Sequence, residues 1–118
     1  MRVLVVEDNK EVAAILSEIL TFLKYKVDIA PDGETALDLL KNKSYILLIT
    51  DASLPKKDGL SLVREVKEMY PSMPIIGISG YADPEEFISA GADAFLAKPF
   101  FIDALIKKIF QVLNKNLP

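Results

Sequence analysis

A short run of apolar and β-branched residues, Ile46 to Thr50, is followed directly by an aspartate, Asp51. The run shows no alternation of polar and apolar residues, which is typical of a strand buried on both faces in the middle of a parallel sheet. Pro55 and Asp58-Gly59 then mark an irregular loop, because proline fixes φ and glycine supplies backbone angles that other residues avoid. Asp51 is therefore expected at the carboxyl end of a central strand, the edge where open α/β sheets bind ligands.

The rest of the chain repeats this pattern of a short apolar run followed by a helical period. Further strands are predicted at residues 2–6, 27–30, 74–79 and 94–97, and a helix is predicted after each strand, the last from Ile102 to about Asn114. Connections of this length form right-handed βαβ crossovers. Five such units predict a parallel sheet covered by helices on both sides, in a single domain over residues 1–118.

The predicted helices carry apolar residues at helical spacing, as in the first and third helices. In the first helix, Ala13 and Ala14 are expected to face outward, and the residues expected to face the core are Val12, Ile15, Leu16, Ile19, Leu20 and Leu23. In the third helix the expected inward residues are Leu62, Val63, Val66, Met69 and Tyr70. The fourth helix should be very short, since Asp83-Pro84 is a strong helix start and Gly91 a natural stop.

The chain contains neither histidine nor cysteine, which excludes much familiar chemistry. A Ser-His-Asp or Cys-His nucleophile, a zinc site with thiolate or imidazole ligands, and a phosphohistidine cannot be built from it. Carboxylates, lysines and hydroxyls remain, and these groups suit hard cations and phosphoryl groups. The net charge of -3 and the scattered lysines argue against a sequence-independent grip on nucleic acid.

No apolar run approaches the roughly 18 to 20 residues that span a bilayer. No signal-peptide pattern precedes the first strand, so a cytoplasmic protein without membrane contact is expected.

Polar groups able to handle a charged ligand follow four of the five predicted strands: Glu7 and Asp8, Asp51, Ser79, and Lys98. In the doubly wound order 2-1-3-4-5 these groups would share one crevice. Each has a plain structural role when taken alone, as a helix cap, a turn former or a solvated charge. Together, three neighbouring carboxylates would raise one another's pKa unless a cation is present, which predicts magnesium, with manganese as a substitute. Lys98 is interpreted as a point charge for a phosphate oxygen, or as the partner of Asp51 when no phosphate is bound.

These segments together resemble the receiver domain of two-component response regulators. The resemblance covers essentially the whole chain and rests on Glu7-Asp8, Asp51-x-x-x-Pro55-x-x-Asp58-Gly59, Ser79-Gly80-Tyr81 and the segment from Gly91 to Phe100. It implies a flavodoxin-like (βα)5 fold in which Asp51 is the phosphorylated residue. It also implies that the Lys98-Pro99 peptide bond is cis.

By the same resemblance, magnesium is held by Glu7, Asp8, Asp51 and the main-chain carbonyl of Ser53. Ser79 and Lys98 contact the phosphoryl group, and Phe95 is the switch aromatic. The chemistry of phosphoryl transfer also suits the main-chain amides of Ala52 and Gly80, which would share the equatorial oxygens with these groups. Ser53 and Tyr81 occupy positions that tune phosphoryl lifetime in the family.

The phosphoryl donor must be another protein's phosphohistidine, in a sensor histidine kinase or histidine phosphotransferase, or a small acyl phosphate. The expected role is regulatory rather than enzymatic: Asp51 either switches binding of a downstream protein partner or passes its phosphoryl group along a relay. Ala13 and Ala14, small and near Asp8, would leave room for a helical partner. A dimer is not predicted, although Phe101 and Phe110 could mark a contact.

The given residues are not expected to include an output domain, so the chain is interpreted either as a stand-alone receiver or as the excised domain of a longer regulator or hybrid kinase. From Ser79 to Lys98 it is about three residues shorter than the family's usual spacing, nearly one helical turn. The family's common output surface at the fourth helix is therefore not assigned to this chain.

Two rival interpretations stay open. The first is a magnesium-dependent hydrolase with an aspartyl phosphate intermediate, although the familiar phosphatases of that type carry Asp-x-Asp after the first strand and here Asp8 is followed by Asn9-Lys10. The second is a receiver-like fold that binds a partner without phosphorylation, which the complete acidic and basic set does not support.

Overall fold

The structure, a computed structural model, describes residues 1–54, 57–80 and 84–114. Strands and helices alternate along the described chain. The strands are β1 (Arg2–Val6), β2 (Lys26–Ala30), β3 (Leu47–Asp51), β4 (Ile75–Ser79) and β5 (Ala94–Ala97). The helices are α1 (Lys10–Phe22), α2 (Gly33–Asn42), α3 (Gly59–Met69), α4 (Pro84–Ala90) and α5 (Ile102–Asn114). The predicted alternation of strand and helix is confirmed.

The five strands form one parallel sheet in the order β2-β1-β3-β4-β5. Val6 pairs with Thr50, Asp51 with Ile78, and Ser79 with Ala97, so the carboxyl ends of β1, β3, β4 and β5 lie at one edge. From β1 the chain adds β2 on one side and then β3, β4 and β5 on the other side. The position between β1 and β3 is therefore the switch point of a doubly wound fold. The predicted fold class and strand order are confirmed.

Every residue of β3 and β4 is buried, as a central parallel strand requires. Successive side chains point to opposite faces, so the sheet separates two apolar cores. Ile49 packs in the core that contains Leu16 of α1 and Leu105 of α5. Leu48 packs in the core with Leu62 of α3 and Phe87 of α4.

Three helices begin with a side-chain cap directly after the carboxyl edge of the sheet. The side chain of Asn9 accepts hydrogen bonds from the amides of Glu11 and Val12 at 3.0 and 3.1 Å. Asp32 caps α2, and Asp58 caps α3 by accepting from the amide of Ser61 at 2.9 Å. These residues satisfy the free N–H groups of the first helical turns. Asn9, rather than Asp8, caps α1.

The predicted stripe of α1 is wrong at two positions. Ala13 is buried, whereas Ile15 is 48% exposed. The buried line of α1 runs through Ala13, Leu16 and Leu20, which also follows helical spacing, and Ile15 lies at its margin. Met69 of α3 was also expected inside but is exposed, because it is the last residue of its helix.

The short fourth helix is confirmed, since α4 has seven residues. Gly91 follows it with a φ of +119°, which only glycine adopts readily. Three residues named in the sequence analysis, Pro55, Tyr81 and Asp83, lie outside the described residues. In the described parts of the chain, no helix has the length and apolar character needed to cross a membrane.

Candidate functional site

The ammonium group of Lys98 joins two carboxylates at the carboxyl edge of the sheet. Its Nζ atom donates to Oε1 of Glu7 and to Oδ2 of Asp51, at 2.5 Å in each case. Glu7 directly follows β1, Asp51 ends β3 and Lys98 directly follows β5. The lysine is 91 residues from Glu7 and 47 from Asp51 along the chain, so the sheet topology alone brings them together. The predicted pairing of Lys98 with Asp51 is confirmed.

Lys98 is positioned by the end of the β4–β5 ladder. Its backbone N–H donates to the carbonyl oxygen of Ser79 at 3.0 Å, which extends the pairing one residue beyond Ala97. The Lys98–Pro99 peptide bond is cis, as predicted. Ser79 is the last residue of β4 and is 2% exposed. Polar groups from the ends of four strands therefore lie at this edge of the sheet.

Both acids of the cluster are removed from solvent. The side chain of Glu7 is 0% exposed and that of Asp51 is 9% exposed, compared with 22% for Lys98. Burial raises the pKa of Glu7, and the hydrogen bond and charge of Lys98 offset this only in part.

Burial alone would lower the pKa of Lys98, but its hydrogen bonds to Asp51 and Glu7 outweigh burial and raise that pKa above its ordinary value. The lysine therefore stays charged. One ammonium group is paired with two carboxylates, those of Glu7 and Asp51. When both are ionised, the cluster carries one net negative charge, which favours binding of a further cation.

The carboxylate of Asp51 is held at both oxygens. Oδ2 bonds to Lys98, and Oδ1 accepts from the backbone N–H of Ser53 at 3.0 Å. The loop behind it is fixed by Gly59, whose N–H donates to the carbonyl oxygen of Ala52 at 2.8 Å. The orientation of Asp51 is thus set by backbone contacts as well as by the lysine.

The remaining predicted site residues border this cluster. Asp8 is exposed and lies one residue beyond Glu7, while Ser53 and Gly80 are exposed and Ala52 is half-buried. The structure thus brings Glu7, Asp51 and Lys98 into direct contact, with Ser79 joined to Lys98 through its carbonyl. The assigned contacts of Asp8, of the Ser53 carbonyl and of the Ala52 and Gly80 amides to a ligand stay predictions.

The chemistry of these donors fits magnesium. All candidate ligands are oxygens, which hard divalent cations prefer. Among the residues that the structure describes, no three acidic side chains form a ready-made metal cluster. Glu7 and Asp51 share Lys98 instead.

The sequence analysis did not predict a contact between two aromatic rings, those of Phe87 and Phe95. The ring of Phe87 in α4 is fully buried, and its centroid lies 5.5 Å from that of Phe95. A Cβ built on Gly77 of β4 would lie 2.3 Å from the Phe87 ring, so the ring fills the space above this glycine. A glycine inside an apolar strand is a recognised sign of such a close approach and could have indicated the contact.

An apolar slot of about 200 Å³ also borders Lys98. It is lined by Val12, Ile15, Lys98, Pro99, Phe100 and Ile102. Ile15 and Ile102 are about half exposed, at 48% and 57%, and Phe101 next to the slot is 80% exposed. This surface escaped the sequence analysis because Ile15 was assigned to the core.

A larger cavity of about 790 Å³ lies elsewhere, among residues that include Met1, Tyr25, Tyr70 and Leu113. None of the charged side chains described above lines it. Size therefore does not identify the functional site here.

A doubly wound parallel sheet with an acidic and ammonium cluster at its switch point places the chain among the α/β domains that bind ligands at the carboxyl edge. Residues 3–110 match the family model of the response regulator receiver domain. The chain belongs to this family, the receiver domains of two-component response regulators.

Relatives and solved structures agree with this assignment. The response regulator MprA of Mycobacterium sp. (strain KMS) is 32% identical over 121 residues, covering 100% of this chain and 53% of MprA. The transcriptional regulatory protein DltR of Streptococcus agalactiae is 37% identical over 112 residues, covering 92% of this chain and 50% of DltR. The chain thus spans about half the length of these curated relatives.

A crystal structure of a response regulator from Chloroflexus aurantiacus J-10-fl superposes with a TM-score of 0.91 at 31% identity. The match covers 95% of this chain and 96% of that one. The fold is therefore shared over nearly the full described length.

Proposed function

We propose that Asp51 accepts a phosphoryl group from a phosphohistidine of a sensor histidine kinase or histidine phosphotransferase, in a magnesium-dependent reaction. Residues 1–118 act as one receiver unit in this proposal. The unit either switches binding of a downstream protein partner or passes the phosphoryl group on. The observation that supports this most is the Lys98 ammonium held between Glu7 and Asp51 at the carboxyl edge of the sheet.

In this mechanism Asp51 is the nucleophile, and an ionised carboxylate needs no general base. A carboxylate oxygen bonds to phosphorus as the bond from phosphorus to the donor imidazole nitrogen breaks. Lys98, already against Asp51, stabilises the charge on the phosphoryl oxygens, and the Ser79 hydroxyl and the amides of Ala52 and Gly80 take the remaining oxygens.

Magnesium, when held by Glu7, Asp8, Asp51 and the Ser53 carbonyl, supplies positive charge against the transferring phosphoryl group. Manganese would serve as a substitute. The oxygen-only donor set and the charge imbalance around Lys98 support this assignment.

Ser79 and Phe95 carry the conformational switch in this proposal. A phosphoryl group adds about two negative charges to the crevice. This charge draws the Ser79 hydroxyl toward it and leaves space into which the Phe95 ring moves, which shifts the population toward an active state. The role is regulatory, because the phosphoryl group itself is the signal.

The apolar slot beside Lys98 supports a protein donor. Ile15, Phe101 and Ile102 expose apolar surface next to the site, which a helical partner would cover. Ala14 is exposed on α1 and fits this surface, whereas Ala13 is buried and contributes nothing to it.

The test is labelling by a small acyl phosphate. Asp51→Asn should abolish incorporation, since the nucleophile is lost, and EDTA should abolish it in the unaltered protein. Phosphate incorporation is measured by intact-protein mass spectrometry.

Asp28→Asn is the matched control, because Asp28 is also partly buried and paired but lies among Arg2, Lys43 and Tyr45. This variant should label normally. Full labelling of Asp51→Asn would overturn the assignment of the acceptor.

A further inference from the structure

We propose that Phe87 is a positioning residue for the switch aromatic Phe95. Its ring holds Phe95 in the position described here and transmits any movement of Phe95 to α4. This inference rests on the proposed function, because it concerns the step that follows phosphorylation of Asp51.

The first observation is the space above Gly77. A Cβ at Gly77 would lie 2.3 to 2.6 Å from three atoms of the Phe87 ring, so any other residue in this position would displace the ring. The glycine is in the middle of a buried strand, where it gives up side-chain packing and costs backbone entropy. That cost is offset by the close seating of Phe87.

The second observation is the register of the strands. Gly77 lies directly opposite Phe95, and Ser79 lies two residues further along β4 on the same face of the sheet. Phe87, Phe95 and Ser79 therefore border one patch of the sheet. A Phe95 ring that moves toward Ser79 changes its contact with Phe87.

The rings make a favourable contact in the observed arrangement. Their centroids are 5.5 Å apart and their planes are tilted by 45°. Aromatic pairs in this range are more stable than their buried area alone accounts for. Phe87 is fully buried while Phe95 is half-buried, so Phe87 is the fixed partner and Phe95 the one with room to move.

The third observation is the length of α4. The helix has seven residues, of which only Phe87 and Ala90 are buried. A helix this short depends on tertiary contacts for its stability. Because Phe87 is its one large buried side chain, a change at the Phe87 ring moves or loosens the helix as a unit.

The experiment measures the affinity for beryllofluoride, a phosphoryl mimic, in the presence of magnesium. Phe87→Leu removes the ring that holds Phe95 in its observed position, so less free energy is needed to move Phe95 when the mimic binds. Binding of the mimic should become about fivefold tighter, since couplings of this kind commonly change affinity by 5-fold or more. A merely structural role for Phe87 would leave the affinity unchanged or weaken it.

The same substitution is then made in a Phe95→Leu background. Without the Phe95 ring, Phe87→Leu should no longer change the affinity, because the two residues act through one contact. Phe110→Leu is the matched control and should behave like the unaltered protein, since Phe110 lies on α5 and is 44% exposed. An equal effect of Phe87→Leu in both backgrounds, or none in either, would overturn the inference.

Folding of each variant is checked by circular dichroism. Phe87→Met keeps most of the buried volume and replaces Phe87→Leu if that variant does not fold; it should tighten binding in the same direction. Because movement of Phe95 is proposed to reach α4 through its contact with Phe87, Phe95→Leu should also reduce the change in deuterium uptake at residues 84–90 when the mimic binds. An unchanged response of those residues would count against the contact.

Results that contradict the proposed function differ from results that contradict only the role of Phe87. If the unaltered protein neither binds the mimic nor labels at Asp51, the function is wrong. If it does both and Phe87→Leu has no effect, only the role of Phe87 is wrong.

Discussion

Gly59 lies against the backbone of the residue that we propose as phosphoacceptor. A Cβ at Gly59 would lie 1.8 Å from the carbonyl oxygen of Asp51 and 2.7 Å from Cα of Ala52. Both are backbone atoms, which cannot move aside as a flexible side chain can. The loop therefore depends on the absence of a side chain here.

We predict that Gly59→Ala lowers the free energy of unfolding by about 3 kcal/mol, because overpacking against backbone is at the upper end of such effects. Urea titration followed by circular dichroism measures the change. The Gly59→Ala substitution should also slow labelling of Asp51, since the loop after β3 must shift to make room for the added methyl group.

Gly80→Ala is the matched control for stability. Among the described residues, the atoms nearest to a Cβ at Gly80 are 3.8 Å and 3.9 Å away, an ordinary contact distance. If both alanine variants had the same stability, the close approach at Gly59 would not be the constraint described here.

At this scale the sequence predicts the charged groups better than the apolar ones. Glu7, Asp51 and Lys98 were predicted to meet because each follows a strand, and parallel strands place such residues at one edge. The burial of Ala13 and the exposure of Ile15 were not predicted, since both positions lie near the margin of the predicted stripe and the observed stripe is rotated toward Ala13. The contact of Phe87 with Gly77 depends on how α4 is seated on the sheet, which helical period does not specify.

At the scale of elements, the end of α1 places a lysine, Lys24, in a backbone conformation that suits glycine. The amide of Tyr25 donates to the carbonyl of Leu20 and that of Lys24 to Thr21, the pattern of a Schellman cap. Lys24 has a φ of 76°, a left-handed conformation that glycine adopts without steric cost.

We predict that Lys24→Gly raises the free energy of unfolding by about 1 kcal/mol, because the left-handed penalty of a side chain is removed. Thermal and urea unfolding measure the gain. Lys26→Gly, two residues later in β2, should instead destabilise the protein, since glycine weakens a strand. A loss of stability in Lys24→Gly would contradict this account of the cap.

The edge strand β2 is tied to its neighbours by Asp28. Its carboxylate accepts from the hydroxyl of Tyr45 at 2.7 Å, from Nη1 of Arg2 at 3.0 and 3.1 Å, and from Nζ of Lys43 at 3.4 Å. Burial alone would raise the pKa of Asp28, but the hydrogen bond from Tyr45 and the charges of Arg2 and Lys43 outweigh it and lower that pKa.

This shift predicts a pH-dependent contribution to stability. A carboxyl group with a lowered pKa in the folded state stabilises it above the unfolded pKa, near 3.9, and loses this contribution as pH falls through the folded value. Asp28→Asn should therefore cost about 1 kcal/mol at pH 7, and the difference from the unaltered protein should close below about pH 4.

Urea titrations at pH 7 and pH 3 measure both differences. Asp38→Asn on the exposed side of α2 serves as the control and should have little effect at either pH. A difference for Asp28→Asn that is as large at pH 3 as at pH 7 would show that the charge of Asp28 is not its cause.

The element scale is where the sequence predicts most. The strand order, β5 and α5 follow the prediction, because apolar runs and helical periods are local properties. The starts of β2, β3 and β4 each differ by one residue, since strand ends are set by pairing with a neighbouring strand.

For the molecule as a whole, the two cores share one sheet and should unfold together. Leu16 and Leu62 are both fully buried and lie on opposite sides of the sheet. We predict that Leu16→Ala and Leu62→Ala each cost about 2 to 5 kcal/mol and that unfolding keeps a single transition in both variants.

Scanning calorimetry and urea titration provide the measurement. The two costs should add in the double variant because the residues lie in separate cores on opposite sides of the sheet. Ile15→Ala, next to Leu16 but 48% exposed, should change stability by no more than about 0.5 kcal/mol. Two separate transitions in either core variant would mean that the sheet does not couple the cores.

The bridge from Lys98 to Glu7 and Asp51 joins the first strand, the middle strand and the last strand of the chain. A nascent or truncated polypeptide lacking the last strand has Asp51, the proposed acceptor, but not the ammonium of Lys98 beside it. Acyl phosphate should therefore label Asp51 only in chains whose last strand has joined the sheet. In a refolding mixture, the labelled fraction would equal the fraction of chains that have completed the sheet.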